Sequence, residues 1–445
     1  MNTPVFDFAV KYINDKTLRF HMPGHKGKKV IGAEEFDITE IKGADSLFEA
    51  DGIIAESEKN ATEIFGSRDT FYSAEGSSLC IRTMLALAVM HAKGKRPVIF
   101  VGRNAHKTFL SAAALLDFEV KWLYSENGGY LSCVISPEML EHEILTASEK
   151  PTAVYITSPD YLGICSDVER LAKVCHKYGI MLLVDNAHGA YLKFLKKSRH
   201  PMDLGADICC DSAHKTLSVL TGGAYLHIGK NAPLYEKQTV KNTMSLFAST
   251  SPSYLILESL DLTNRFLSDG YEKRLEDFEK KMEEAKKCLQ KNGYSLLGDE
   301  PLKITISTKG YGYYGTELAE ILREKHNTEC EFADPDFIVF MLVPGQENEL
   351  DILVNALTSI NKRTEIVETT PVCTQKKQIL SVREAMFSIS EEISVKDSEG
   401  RVLASASVGC PPAVPILVCG ERIDKDAINT FLYYGIEKCY VVKLR

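Results

Sequence analysis

The sequence predicts an α/β fold: a mostly parallel sheet with helices on both faces, followed by smaller α/β lobes. Three observations predict it. Between about residues 70 and 230, short β-rich runs alternate with helix-patterned segments. Those runs are apolar throughout, as strands covered on both faces require. After about residue 270 the texture changes to a long charged helix and then to two further β-like runs.

The elements follow in order. Residues 1–50 read as an arm with a glycine-rich loop, Met22-Pro23-Gly24-His25-Lys26-Gly27. Residues 51–270 read as the large domain. In it, the stretch from Leu79 to His91 is an apolar helix. Pro97-Val98-Ile99-Phe100-Val101, Val154-Tyr155-Ile156-Thr157 and Ile180-Met181-Leu182-Leu183-Val184 are buried strands. Ile208-Cys209-Cys210 and Ala224-Tyr225-Leu226-His227-Ile228 are weaker strand candidates. The segment from Ser166 to Tyr178 puts Val168, Leu171, Ala172 and Cys175 on one helical face. Residues 271–365 read as a small α/β domain. It has a charged helix from Tyr271, strands at Leu302–Ser307 and Phe337–Val343, and helices near Thr316 and Glu347. Residues 366–445 read as a C-terminal lobe with a proline-rich turn at Cys410–Pro415. In sheets of this kind ligands gather at the carboxyl ends of the strands.

Composition excludes several classes. The 445 residues carry 52 Lys+Arg against 61 Asp+Glu, a formal charge of −9 that argues against a protein coating nucleic acid. The same balance suits an enzyme whose substrates and products are small cations. The apolar stretch from Thr83 to Met90 is far shorter than the ~20 residues that span a bilayer. The start lacks a basic region followed by an apolar run, so a cytoplasmic protein without membrane contact is expected. The 12 cysteines are scattered and read as reduced core thiols outside any site. No metal-binding motif is present, and no metal is expected.

Four clusters stand at strand or helix ends. Glu75-Gly76-Ser77-Ser78 opens the helix that contains Leu79; small residues and hydroxyls there suit an anion, although a plain N-cap looks the same. Gly102-Arg103-Asn104-Ala105-His106-Lys107 follows a strand. Its His is able to stack on a flat ring or to act as an acid or base; a polar loop is the simpler alternative. In Val184-Asp185-Asn186-Ala187-His188-Gly189, Asp185 ends an apolar strand, where a carboxylate needs a partner or caps the next helix. Asp211-Ser212-Ala213-His214-Lys215-Thr216 lies before the turn Thr221-Gly222-Gly223-Ala224; Lys215 is either a solvated charge or a Schiff-base lysine. Together they meet the needs of pyridoxal 5'-phosphate. Its phosphate needs helix N–H groups and hydroxyls, its aldehyde needs a lysine, and its ring nitrogen needs a carboxylate to stay protonated.

At this point a resemblance emerges. Arg19-Phe20-His21-Met22-Pro23-Gly24-His25-Lys26-Gly27 resembles the opening signature of the Orn/Lys/Arg decarboxylase family. Asp37-Ile38-Thr39-Glu40 with Gly43-Ala44-Asp45-Ser46-Leu47 resembles its next motif. The segments 103–107, 185–189 and 212–216 resemble its active-site motifs, in the same order, and the likeness covers most of residues 18–270. The resemblance implies the aspartate-aminotransferase fold (PLP fold type I), in the short form without an N-terminal wing domain. It implies pyridoxal-phosphate-dependent α-decarboxylation of a small basic amino acid (arginine, lysine or ornithine) to an amine and carbon dioxide, as in polyamine biosynthesis. By position, Lys215 carries the cofactor, Asp185 pairs with the ring nitrogen and His106 stacks on the ring. Gly76, Ser77 and Ser78, with Ser212 and His214, hold the phosphate, and His188 lies close by. Lys215 or His214 donates the Cα proton. The resemblance also implies a homodimer or higher homo-oligomer with its site at the subunit interface, where Thr250-Ser251-Pro252-Ser253-Tyr254 reaches the neighbouring subunit's cofactor.

This chain departs from the family pattern at three positions. Glu75 stands where a neutral residue is usual, so it is expected to point away from a phosphate or to meet a cation. Asn186 replaces the usual Glu, and Ala213 the usual Thr. Glu40, Asp45 and Glu49 are candidates for meeting a cationic substrate, with solvated surface acids as the alternative. Three rivals remain. An aminotransferase would need an arginine such as Arg323 or Arg363 to grip the α-carboxylate. The others are an idle cofactor-binding homologue and a nucleotide-binding protein, the last poorly supported without a P-loop.

Overall fold

The computed structural model describes residues 1–92, 96–125, 129–405 and 413–444. Residues 410–412 of the expected proline-rich turn lie outside that set. The chain is α/β with a mostly parallel central sheet. It divides into two compact units.

The first unit comprises Met1–Lys95, Thr152–Tyr155 and Val168–Arg274. Its helices include α1 (Pro4–Asn14), α2 (Ile53–Phe65) and α3 (Gly76–His91). In chain order the strands of the central sheet are β1 (Asp69–Ser73), β2 (Val98–Gly102), β3 (Glu119–Leu123), β4 (Ala153–Thr157), β5 (Met181–Asp185), β6 (Ile208–Asp211) and β7 (Ala224–Ile228). Within the first unit the order is β1-β7-β6-β5-β4. β5 and β6 are parallel, with Asp185 level with Cys210. β7 runs antiparallel to both β6 and β1, pairing Asp211 with Tyr225 and Ser73 with Ala224.

This register sets the site. The carboxyl ends of β1, β5 and β6 and the start of β7 come to one edge of the sheet. Strands β5, β6 and β7 are buried at every position, which explains their mainly apolar sequence. The turn before β7 needs glycine. Gly222 has φ +102°, and a Cβ on it would stand 3.1 Å from the carbonyl oxygen of Ala74.

The second unit comprises Arg96–Pro151, Ile156–Asp167 and Leu275–Arg445. It holds the parallel pair β2–β3 and helix α4 (Lys107–Leu116). It also holds an antiparallel four-stranded sheet containing Lys303–Ser307 and Phe337–Met341, and a two-stranded sheet of Ser390–Ser394 with Lys438–Val442. Inside this unit Arg103, buried beside Trp122, donates to the carbonyl oxygens of Pro415 and Ile416 at 2.8 and 2.9 Å. Glu421 lies 3.5 Å from the same guanidinium. No helix among the described residues is long and apolar enough to cross a membrane.

Candidate functional site

Eight of the predicted residues, Gly76, Ser77, Ser78, Asp185, His188, Ser212, His214 and Lys215, lie at the β5, β6 and α3 ends of the first unit. Asp185, the last residue of β5, is buried. Its Oδ2 accepts from the Tyr155 hydroxyl at 3.0 Å, and its Oδ1 accepts from the Ala187 N–H at 3.2 Å. Burial raises its pKa above the usual carboxylate value, against the pull of Tyr155 and of the Lys215 ammonium. A phenol and a peptide N–H are both neutral donors. A buried carboxylate so held gains from a cation placed in contact with it, the condition in which a protonated ring nitrogen is bound well.

Lys215 lies in the short helix Ala213–Thr216 that follows β6, and its Nζ is 3.0 Å from His188 Nε2. His188 is itself buried. An ammonium only donates, so His188 Nε2 accepts in that contact. His214 has the opposite assignment. Its Nδ1 lies 2.9 Å from the carbonyl oxygen of Gly223, which only accepts, so Nδ1 carries the proton and Nε2 the lone pair. Burial holds the imidazole pKa below its usual value, keeping the ring neutral.

The expected anion site lies at the start of α3. The helix begins at Gly76, and its N-cap residue, Glu75, makes no side-chain cap. The hydroxyl of Ser77 instead accepts from the Ser212 hydroxyl at 2.8 Å, joining the helix start to the β6 end. The Gly76 N–H donates to the Gly222 carbonyl at 2.6 Å. It is thus taken up by the glycine turn. Gly76 has φ +68°, and a Cβ there would meet nothing within 4 Å, so it lines open space. Glu75 is expected to point away from a phosphate or to meet a cation. Its partner is a backbone group rather than a cation: Oε1 accepts the Ser249 N–H at 2.6 Å.

His106 belongs to the second unit. It is the N-cap of α4, where Nδ1 accepts the Thr108 N–H at 3.1 Å. A neutral ring so held carries its proton on Nε2. Among the arm acids, Asp45 is committed elsewhere: it accepts the N–H groups of Gly52 and Ile54, both at 2.9 Å, at the start of α2. Glu40 and Glu49 are exposed. Arg323 pairs with Glu329 and Arg363 with Glu317, both at 2.6 Å and half exposed.

Three features escaped the sequence reading. Tyr155 was read only as strand, yet its hydroxyl meets Asp185; a buried tyrosine on a strand near β5 needs such a partner. Cys210, expected outside the site, places Sγ 3.7 Å from Asp185 Oδ1. The register that levels it with Asp185 is a long-range fact. Finally, Asp211 accepts from His200 (2.9 Å), His227 (3.2 Å) and Asn186 (2.7 Å), all fully buried. His200, Cys209 and Asp211 lie close enough to suggest a metal. The Met202 N–H donates to His200 Nδ1 at 3.3 Å, so the neutral ring bears its proton on Nε2 and presents no lone pair to a metal there.

Residues 3–299 match the family model for the Orn/Lys/Arg decarboxylase major domain, and residues 363–437 match the model for its C-terminal domain. An arginine decarboxylase of Bacillus subtilis is 29% identical over 96% of this chain and 92% of its own length. One from Halalkalibacterium halodurans is 31% identical over 95% and 91%. The crystal structure of the Francisella novicida lysine decarboxylase superposes with a TM-score of 0.81 at 16% identity, covering 99% of this chain and 81% of that one.

Proposed function

Because the chain belongs to the Orn/Lys/Arg decarboxylase family, and so to the pyridoxal-phosphate-dependent decarboxylases of basic amino acids, we propose that its substrate is arginine, converted to the amine and carbon dioxide. Arginine is favoured because full-length relatives at 29–31% identity bear that activity in their names. The observation that carries the site assignment is Asp185: a buried carboxylate held by neutral donors, on the strand next to the one that leads into Lys215.

The bound cofactor supplies an electron-poor ring that takes up the electron pair left when the carboxylate departs. This chain's residues do the rest. Lys215 Nζ would hold the cofactor's aldehyde carbon. Asp185, oriented by Tyr155 and the Ala187 N–H, keeps the ring nitrogen protonated. Ser77, Ser78 and Ser212, at the α3 end, would hold the phosphate. His188 Nε2 accepts from the Lys215 ammonium and orients it. Of the two expected donors to Cα, Lys215 is the better. The proton of neutral His214 is committed to the Gly223 carbonyl, and its Nε2 has none to give.

The working unit is a homodimer. In the arm, Leu18, Phe20, Met22, Val30 and Ile31 are all exposed by half or more, as an apolar face awaiting a second copy would be. Thr250–Tyr254 of one copy would face the cofactor of the other. The compartment is the cytoplasm, in keeping with eleven described cysteines that are all free thiols.

The test is a panel. The purified protein, loaded with cofactor, is given arginine, lysine and ornithine, and carbon dioxide and amine are measured together. Arginine should lead the others at least tenfold in kcat/KM. A keto acid without carbon dioxide would sink the decarboxylase reading, and a lead by lysine or ornithine would sink the substrate assignment.

A further inference from the structure

The carboxylate that the family pattern places beside the ring-nitrogen aspartate is replaced here by Asn186, yet a carboxylate remains nearby. It is Asp211, on the neighbouring strand. Asn186 Nδ2 donates to Asp211 Oδ1 at 2.7 Å, and the Asn186 N–H donates to the Cys210 carbonyl at 3.0 Å. The other oxygen of Asp211 takes both imidazoles. The carboxylate only accepts, so each ring turns an Nε2–H toward Oδ2, while His200 Nδ1 accepts the Met202 N–H and His227 Nδ1 lies 2.8 Å from the Thr70 hydroxyl. Phe65 packs against both rings, with centroids 5.4 and 4.5 Å away. Asp211, Asn186, His200 and His227 are each 0% exposed.

A carboxylate with three donors in a dry pocket is hard to move, because each lost donor leaves a buried charge underpartnered. Asn186 directly follows Asp185. Asp211 directly precedes Ser212 and the Lys215 turn. The side-chain bond between them therefore ties the two strand ends that carry the reacting groups.

We propose that Asn186 is a positioning residue: through Asp211, anchored by His200 and His227, it locks the Asp185 end of β5 to the Lys215 end of β6. This rests on the assignment of Asp185 and Lys215 to the cofactor.

A charge swap tests it. Asn186→Asp sets two carboxylates face to face in the pocket. In the double variant with Asp211→Asn, the amide at position 211 is able to donate to the carboxylate at position 186 while its oxygen still accepts from both imidazoles. Cofactor affinity of the apo protein is followed by fluorescence quenching, with folding checked by circular dichroism, so no turnover is required. Asn186→Asp should weaken cofactor binding at least tenfold, and the double variant should recover to within about threefold of wild type. Asn186→Ala, which adds no charge, serves if Asn186→Asp does not fold, and should weaken binding severalfold. Wild-type affinity in the tested single variant, or a double variant no better than Asn186→Asp, overturns the proposal. Wild-type protein that binds no cofactor at all overturns instead the functional reading beneath it.

Discussion

Tyr155→Phe removes one oxygen from the site and little else. The ring stays, so the packing of β4 is kept, and the 3.0 Å bond to Asp185 Oδ2 is lost. A hydrogen bond to a charged group contributes about 1.5–3 kcal/mol. At about 1.36 kcal/mol per pKa unit, its loss lifts the Asp185 pKa by about one to two units. The direction is fixed by the structure: burial already raises that pKa, and the tyrosine is the leading influence holding it down. Since Asp185 must be ionised to keep the ring nitrogen protonated, the acid limb of kcat against pH moves up by about the same one to two units. The assay is the pH profile of carbon dioxide release by the loaded enzyme, together with the pH dependence of its cofactor absorbance. An acid limb in the wild-type position would refute the assignment of Tyr155 as the group that tunes Asp185.

Other expectations follow from the same contacts. Lys215→Ala should abolish both the cofactor–lysine absorbance and turnover, measured by spectrum and carbon dioxide release. Arg103→Met should cost about 3–5 kcal/mol, because it leaves Glu421 buried without its cation and two carbonyls without donors; urea unfolding reads the loss. Glu75→Ala should free the Ser249 N–H and speed proteolysis near Ser249, with little change in global stability. In the cofactor-free protein, the Asp185 contribution to stability should be present below the unfolded carboxylate pKa and lost as pH rises through the raised folded value, so Asp185→Asn should flatten that part of the pH–stability curve.

Much of this was legible in the sequence, for local reasons. The all-apolar run of β5 and the Asp that ends it are visible because a buried strand leaves no polar residue until its tip. The charged stretch from Tyr271 is a helix to Lys291, as its composition implies. The region near β3 was harder. Its Glu119, Lys121 and Trp122 do not make an apolar run, and only pairing with β2 makes it a strand. The β1 strand was equally hidden, because its partner, β7, lies more than 150 residues away in sequence. The same limit applies to the site. Motif residues are adjacent in sequence, so Lys215, His214 and Ser212 stood out together. Tyr155, Cys210 and the Asp211 cage meet their partners only through strand register, which no local pattern encodes. Charge alone did not say that the Ser249 backbone N–H would meet Glu75.

The central claim is that Lys215 carries the cofactor. The direct measurement is borohydride reduction of the loaded protein, followed by digestion and mass spectrometry of the peptides. The account predicts a reduced pyridoxyl group on Lys215 and on no other lysine. A label on a different lysine, or none after full loading, would contradict it.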